Sequence, residues 1–558
     1  MTTAQRYLPR LLALFVAVQI AACANPPQDG QPMIPDPSAS AQKSEVLQNR
    51  AMAAPAAVSA APVAAPSAAR MALVPRAMMI APAQPQSTER YGQISDNPVK
   101  QVAEAPVSTF SIDVDSGSYS NIRRMLNAGR LPPADAVRVE ELINYFPYDY
   151  ALPTDQRPFA VHTEFAPAPW NPERVLLRVG IKGQDVAKQD LPPANLVFLV
   201  DVSGSMNSPD KLPLLKNSLK LLVNALRAQD RISLVTYASG TQVVLSSTSG
   251  AEKATINTAI DALRAGGSTA GASGLQLAYS AAQQGFIKGG INRILLATDG
   301  DFNVGVSDDR QLKSMVEEKR KSGISLSTLG FGTGNYNERM MEQIADVGDG
   351  AYSYIDNLME GHKVLVNEMT STLATIARDV KVQIEFNPAV VKEYRQIGYE
   401  NRQLNREDFN NDKVDAGDIG AGHTVTALYE LTLEGSKGSV DPLRYGKQAK
   451  HKDALGKELA YLRLRYKTPE ASASELIEIP LHRDAIKPLA GVSSEFRFAT
   501  AVAGYGQLLR GGKHTGNWSY SDARQLATES VGKDRFGYRG EFLRMIDLTQ
   551  ALATKANR

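Results

Sequence analysis

Asp201, Ser203 and Ser205 stand at every second position in LVFLVDVSGSM (196–206), directly after an apolar run from Leu196 to Val200. One carboxylate and two hydroxyls at that spacing offer three oxygen donors to a hard divalent cation such as Mg2+, which wants near-octahedral oxygen coordination and keeps some waters. The same residues also suit an ordinary strand end, with Asp201 and Ser205 capping the next helix and satisfying loop amides. Alone, the pattern arises by chance in about one chain in ten of this length. Two further oxygens fall at equivalent places. Thr269 lies on the Gly-Gly loop of AGGSTAGASGL, immediately before a helix, and Asp299 ends the apolar strand RILLATDG. Ligand sites in open α/β sheets form just past the carboxyl ends of strands, where both aspartates stand.

Positioning these groups requires a sheet. From Asn195 to about Arg378, short apolar strands (LVFLV, RISLVTYAS, NRILLATDG, ISLSTLGFG, GAYSYI) alternate with amphipathic helices such as KLPLLKNSLKLLVNALRA and DDRQLKSMVEEKRKSG. LMEGHKVLVNEMTSTLATIARD completes the series. That alternation predicts an α/β unit: a doubly wound, mostly parallel sheet covered on both faces. Strand-like sequence lies on both sides of it. FAVHTEFAPAPW (159–170) and RVLLRVGIKG (174–183) precede it; VKVQIEF, HTVTALYELTL, LAYLRLRYK and SELIEIPL follow. We therefore expect one β-rich, sandwich-like domain with the α/β domain inserted, closed by three C-terminal helical segments. SYSNIRRMLNAGRLPP and DAVRVEELINYF (135–146) read as two further helices near the start of the ordered region.

The first 98 residues read differently. Arg6 and Arg10 precede an apolar run of about twelve residues, LLALFVAVQIAA, and Cys23 follows. That run is too short to span a bilayer as a helix and fits a signal-peptide core. Ile20-Ala21-Ala22-Cys23 resembles a bacterial lipobox, in which the cysteine becomes the lipidated first residue. Ala24, in place of aspartate, points by resemblance to enteric sorting rules to the outer membrane, facing the periplasm. The segment to about Val99 is Ala/Pro/Ser/Gln-rich and cannot bury enough surface to fold, so it reads as a tether with a reach of roughly 50 Å. The expected organisation is a lipoprotein signal (1–22), tether (23–98), N-terminal helical and β segment (99–190), α/β domain (191–378) and C-terminal β-rich plus helical region (379–558). With Cys23 the single cysteine, stability must come from packing rather than an intramolecular disulfide.

The ordered set of D-x-S-x-S, a loop threonine and a strand-end aspartate resembles the metal-ion-dependent adhesion site of von Willebrand factor type A (VWA) domains, and all five positions match. TFSIDVDSGSYSNIRRMLNAGRLPPADAVRVEELINYFPYDY, DKVDAGDIGAGHTVTALYEL and FRFATAVAGYGQLLRG are similar to segments of YfbK-type bacterial envelope VWA proteins, a likeness running from about residue 92 to the end. The resemblance implies a VWA (Rossmann-like) fold, export and a bound divalent cation, Mg2+ or alternatively Mn2+ or Ca2+. It implies that Asp201, Ser203 and Ser205 contact the metal directly, Thr269 directly or through water, and Asp299 through water. The metal then keeps a position open for a carboxylate from a partner protein.

Other motifs fall short of known chemistry. SIDVDSGS (111–118) has the D-x-D of haloacid-dehalogenase-type phosphatases, but Gly117 stands where those need Thr or Val, so it reads as a turn in which Ser118 or a neighbour caps a helix. DFNNDKVDAGD (408–418) imitates a calcium loop with Lys413 in place of the required glycine, and reads as a solvated loop. RGGKHTG (510–516) lacks the full phosphate-loop pattern. Asp301 and Asp308 read as loop or cap residues, with Asp301 close enough to tune the site's charge. Six scattered histidines make no zinc motif, and a net charge of +2 gives no case for nucleic acid. The sequence thus points to a non-enzymatic, lipid-anchored envelope protein that docks a protein partner through a divalent metal. A metal-assisted hydrolase and a metal-free scaffold are the alternatives.

Overall fold

The computed structural model describes residues 88–269, 271–300, 309–441 and 457–556. The leader, Cys23, the tether as far as residue 87, Asp301 and Asp308 lie outside the described residues. Strands β1 (Lys100–Gln101) and β2 (Val107–Ser111) precede helices α1 (Gly117–Asn127) and α2 (Val139–Asn144) and the hairpin of β3 (Phe159–Ala168) and β4 (Asn171–Gly183). The α/β unit opens with β5 (Ala194–Asp201), α3 (Leu212–Ala225), β6 (Arg231–Tyr237), β7 (Thr241–Ser249), α4 (Lys253–Ala262) and α5 (Gly271–Gln284). It continues with β8 (Ile291–Thr298), α6 (Asp309–Arg320), β9 (Ser325–Phe331), α7 (Glu338–Val347) and β10 (Tyr352–Ile355). Then follow α8 (Leu358–His362), a π turn at Lys363–Asn367, and α9 (Met369–Leu373). The chain returns to strands β11 (Thr375–Phe386), β12 (Val391–Ile397), β13 (Ile419–Gly420), β14 (Thr424–Leu433), β15 (Glu458–Lys467) and β16 (Glu475–His482). Helices α10 (Ser494–Leu509), α11 (Tyr520–Glu529) and α12 (Tyr538–Ala556) close it.

The α/β unit is a six-stranded sheet in the order β10-β9-β8-β5-β6-β7, parallel except for β7. All eight residues of β5 are buried, so its strand periodicity sends alternate side chains into two cores. Leu196, Phe198 and Val200 pack with Leu215 and Leu219 of α3 and Ile256 and Ile260 of α4. Val197 and Leu199 face the other way, toward Leu275 of α5, Val316 of α6 and Ile344 of α7. This is the doubly wound sheet that the sequence predicts.

The flanking strands form two antiparallel sheets, β1-β12-β14-β4-β3 and β13-β11-β15-β16, with β2 pairing with β11. Phe110, Leu177, Val382, Tyr429 and Leu462 fill the space between them, so strands from both sides of the α/β unit build one sandwich, as expected. On the outer face of the first sheet, Ala166, Leu176 and Leu428 meet a helical layer that joins Tyr119, Leu142 and Phe146 to Phe496, Tyr505 and Phe542.

Three local expectations differ from the structure. The helix expected over 135–146 is a 3-10 turn at Ala134–Ala136 and a short α2, because the Ser118 hydroxyl donates to Ala136 O at 2.7 Å and accepts from Arg138 N at 3.0 Å. These bonds divert the backbone groups that a continuous helix would use. The segment after β10 is broken at its π turn, and β11 starts at Thr375. Residues 88–98 lie against the fold, with Thr88 N donating to Gly334 O at 2.8 Å and Asn97 Nδ2 to Gly398 O at 2.7 Å.

Candidate functional site

β5 is paired with β6 on one side and β8 on the other, so the chain winds away in both directions from a switch point between β5 and β8. At this rim Asp201 is paired in register with Tyr237, the last residue of β6, and Val200 with Ala297. That register brings two hydroxyls to one carboxylate. Thr298 Oγ1 donates to Asp201 Oδ2 at 3.1 Å and Tyr237 Oη to the same oxygen at 3.3 Å. Asp201 Oδ1 accepts from Ser203 N at 2.8 Å, closing an Asx turn that sends the chain back across the strand end. Ser203 Oγ and Ser205 Oγ then lie 3.0 Å apart. Neither Asp201 nor Ser205 caps α3, which starts after Lys211 without a side-chain cap.

The Thr269 loop is stitched to this turn by backbone bonds, Gly204 N to Gly267 O at 3.0 Å and Gly266 N to Val202 O at 2.8 Å. Thr269 itself is half-buried, Ser203 is buried and Ser205 is exposed. Asp299, 1% exposed, follows β8 and lies close enough for its charge to act on Asp201. Burial, with the Asp299 charge adding to it, pushes the Asp201 carboxyl up to about 6, against the hydrogen bonds from Ser203 and Thr298. A buried carboxylate held this way gains from a cation beside it.

One participant carries no signal in the sequence motif. Lys211, 6% exposed, donates from Nζ to Asp299 Oδ2 at 2.9 Å and to Asn335 Oδ1 at 3.4 Å. Its stem passes Gly332 (φ 73°), where a Cβ would stand 2.2 Å from Lys211 Cγ, so only glycine leaves room for it. A lysine preceding a helix reads as a solvated surface charge, and only the fold turns it onto the rim. Tyr237 and Thr298 are likewise identifiable only from strand register.

The donor set fits a small divalent cation. Adjacent oxygens of an octahedron with metal–oxygen distances of 2.0–2.1 Å lie about 3 Å apart, the separation of the two serine hydroxyls. The donors are hard oxygens throughout, suited to Mg2+, Mn2+ or Ca2+ rather than to soft-ligand metals. Among the described residues no group of three or more His, Cys, Asp or Glu could hold a metal, so such a cation would depend on the hydroxyls as well as the carboxylates.

The other sequence motifs resolve structurally. Asp113 and Asp115 cap nothing in α1. They are buried and paired with Arg402 at 3.2 and 3.1 Å, while Asp115 Oδ1 also accepts from Tyr352 N at 2.8 Å. The helix N-cap Ser116 makes no side-chain cap bond. The 408–418 segment is solvated at 410–413 and at Asp415, while Phe409 is buried and the half-buried Asp418 accepts from Asp379 N at 3.2 Å. In the third motif, Arg510 is paired with Asp96 at 2.6 Å.

A sheet of this order with this rim is a von Willebrand factor type A domain, an interaction fold; the family model for that domain matches residues 195–367. A model described as von Willebrand factor matches 85–178, and one described as "Uncharacterized protein YfbK, C-terminal" matches 371–552. The chain is 56% identical over 473 residues to the uncharacterized protein YfbK of Escherichia coli (strain K12), covering 83% of this chain and 82% of that protein. It belongs to the YfbK family. It is also 28% identical over 325 residues to the uncharacterized protein sll0103 of Synechocystis, covering 57% of this chain and 71% of that one. A solved von Willebrand factor type A protein from Catenulispora acidiphila, 18% identical, covers 70% of this chain and 91% of that chain with a TM-score of 0.40.

Proposed function

We propose that the chain is a lipid-anchored cell-envelope binding protein whose VWA domain holds a divalent cation, Mg2+ or alternatively Mn2+ or Ca2+, and uses it to dock a protein partner. Asp201, Ser203, Ser205, Thr269 and Asp299 hold the ion. The carrying observation is the rim of β5, where a buried carboxylate without a cationic partner among the described residues faces two hydroxyls spaced as neighbouring ligands. The charges support docking of an anion. Asp201 and Asp299 carry two negative charges, while Lys211 and a dication carry three positive ones, so these four groups together leave one net positive charge. A carboxylate side chain of a partner protein meets that charge and completes the coordination. Lys211 and Asp299 are tied to each other, which leaves the rim suited to binding rather than to proton transfer.

Cys23 supplies the membrane attachment in this reading, and the tether lets the domain search for its partner from the outer membrane. No helix among the described residues is long and apolar enough to cross a bilayer. The test is affinity capture from envelope extract with the full chain as bait, in Mg2+ and in EDTA. A partner recovered in Mg2+, lost in EDTA and lost with Asp201→Ala supports the proposal. Partners retained under all three conditions contradict it. Globomycin-sensitive processing and palmitate labelling that disappear with Cys23→Ser test the anchor.

A further inference from the structure

At the opposite end of the parallel sheet from Asp201, a cavity of about 270 Å³ lies between the VWA domain and the sandwich. Arg293, the third residue of β8, lines it some 20 Å from the rim by strand rise. Other walls come from Ser111–Ser116 at and beyond the end of β2, from Asn401–Leu404 and from the end of the 408–418 segment.

Most charges on these walls are paired. Arg402 takes Asp113, Asp115 and Asp346; Arg320 holds Asp349 and Asp415, each at 2.5 Å; and Lys363 holds Glu368 at 2.7 Å. Among the described residues, two charged groups lining the cavity are left over. Arg293 is 5% exposed, yet among those residues its guanidinium donates a single hydrogen bond, Nη1 to Ser327 Oγ at 2.7 Å. Its Nε has no hydrogen-bond partner, and it makes no ion pair among the described residues. Asp418 accepts the Asp379 N–H and likewise has no ion pair among them. The carboxylates of Asp418 and Asp349 are near enough for their fields to act on Arg293, Asp418 the more strongly. A buried guanidinium with one hydrogen bond and no ion pair is costly unless something fills its remaining donors.

The backbone points to the same place. Among the described residues, three without a glycine's freedom have positive φ: Asp349 (49°), Asp379 (53°) and Tyr399 (62°). Asp349 lines the cavity, Asp379 holds Asp418, and Tyr399 precedes the Glu400–Arg402 turn that carries another wall. Strained residues persist where the surroundings over-determine them, commonly at ligand sites.

We propose that this cavity binds a small zwitterion, an α-amino acid or dipeptide, with its carboxylate on the Arg293 guanidinium and its ammonium on Asp418. A planar guanidinium with free donors matches a carboxylate in fork geometry, and the Asp418 carboxyl group, which releases its proton to solvent as the ammonium arrives, accepts that group's N–H donors. The volume lies just below that of drug-sized pockets, in the range of a metabolite. Both domains contribute walls, so the ligand ties them together.

The test is calorimetry and thermal melting of the full chain with alanine and alanyl-alanine, using acetate and ethylamine as half-ligands. The expected result is that at least one zwitterion binds and raises Tm, with both half-ligands weaker by about tenfold or more. Arg293→Gln and Asp418→Asn each reduce that affinity by about tenfold or more, while EDTA leaves it unchanged. Circular dichroism establishes folding of each variant, and Asp418→Asn decides if Arg293→Gln does not fold. The proposal is overturned if neither zwitterion binds at about 10 mM, the weak end of ligand affinity. It is overturned equally if acetate binds as tightly as alanine, or if a folded variant binds like the wild type.

Discussion

Lys211 Nζ lies 2.9 Å from Asp299 Oδ2, and both residues are nearly excluded from solvent. This pair places a fixed positive charge on the rim where a cation is proposed to bind. It also satisfies Asp299, leaving Asp201 as the rim carboxylate without a cationic side chain against it among the described residues. Lys211 therefore works in two directions: it stabilises the metal-free rim and opposes the charge of an incoming ion.

Lys211→Met separates those roles. Removing the ammonium raises affinity for Mg2+ or Mn2+ by about tenfold, the effect of about 1.4 kcal/mol of relieved repulsion. In EDTA the same change strands a buried Asp299 and lowers Tm, because breaking a buried pair leaves an uncompensated charge. Added metal recovers the loss. Metal titration combined with melting in EDTA checks both effects, and unchanged affinity would show that Lys211 does not sense the ion.

Stability falls as pH rises from about 6.5 to 8.5. Burial pushes the Glu342 and Asp418 carboxyls up to about 8 and Glu140 to about 7, from ordinary values of 4.5, 3.8 and 4.5. Their protons remain bound in the folded state at pH values where the unfolded chain has released them. The resulting stabilisation is fully present below the ordinary values and is lost as pH climbs through 7 and 8. His423 and His514, held down to about 4 by burial, act in the opposite direction only below about 6.5. Melting at pH 6.5, 7.5 and 8.5 measures the slope, and Glu342→Gln flattens it.

Arg402 binds the VWA domain to the sandwich. Its guanidinium pairs with Asp113, Asp115 and Asp346, with N···O distances from 2.6 to 3.2 Å. Arg402→Met leaves these carboxylates without that cation, a loss of about 3–5 kcal/mol for a broken buried pair. Calorimetry is expected to show a lower Tm and a broader or split transition as the two domains uncouple. A single transition at the wild-type temperature would show that the network holds nothing together.

Gly117 is packed for a steric reason. A Cβ there would stand 2.2 Å from Tyr352 Cε1, where the start of α1 rests on β10. Gly117→Ala must displace that buried ring and costs about 1–3 kcal/mol, as overpacking does. A chemical-denaturation midpoint equal to that of the wild type would contradict this contact.

The sheet and its rim were legible because their causes are local. Buried parallel strands leave continuous apolar runs, and Asp201 and Asp299 each end one of them. The inserted arrangement was legible from strand-like sequence on both flanks. Lys211 was not, since only the loop at Gly332 brings its stem back to Asp299. Nor were the roles of Asp113 and Asp115, whose partner Arg402 lies 289 and 287 residues away. The interrupted helix at 134–144 depended on the Ser118 hydroxyl, a contact that periodicity does not carry. What the sequence left hidden was chiefly charge pairing between distant segments.

Calorimetric titration of the full chain with Mg2+ and Mn2+, on the wild type and on Asp201→Ala, tests the metal site most directly. One saturable site is expected on the wild type, abolished in Asp201→Ala while the variant keeps its native circular dichroism. Equal heats from both proteins, or no heat from either, would contradict it.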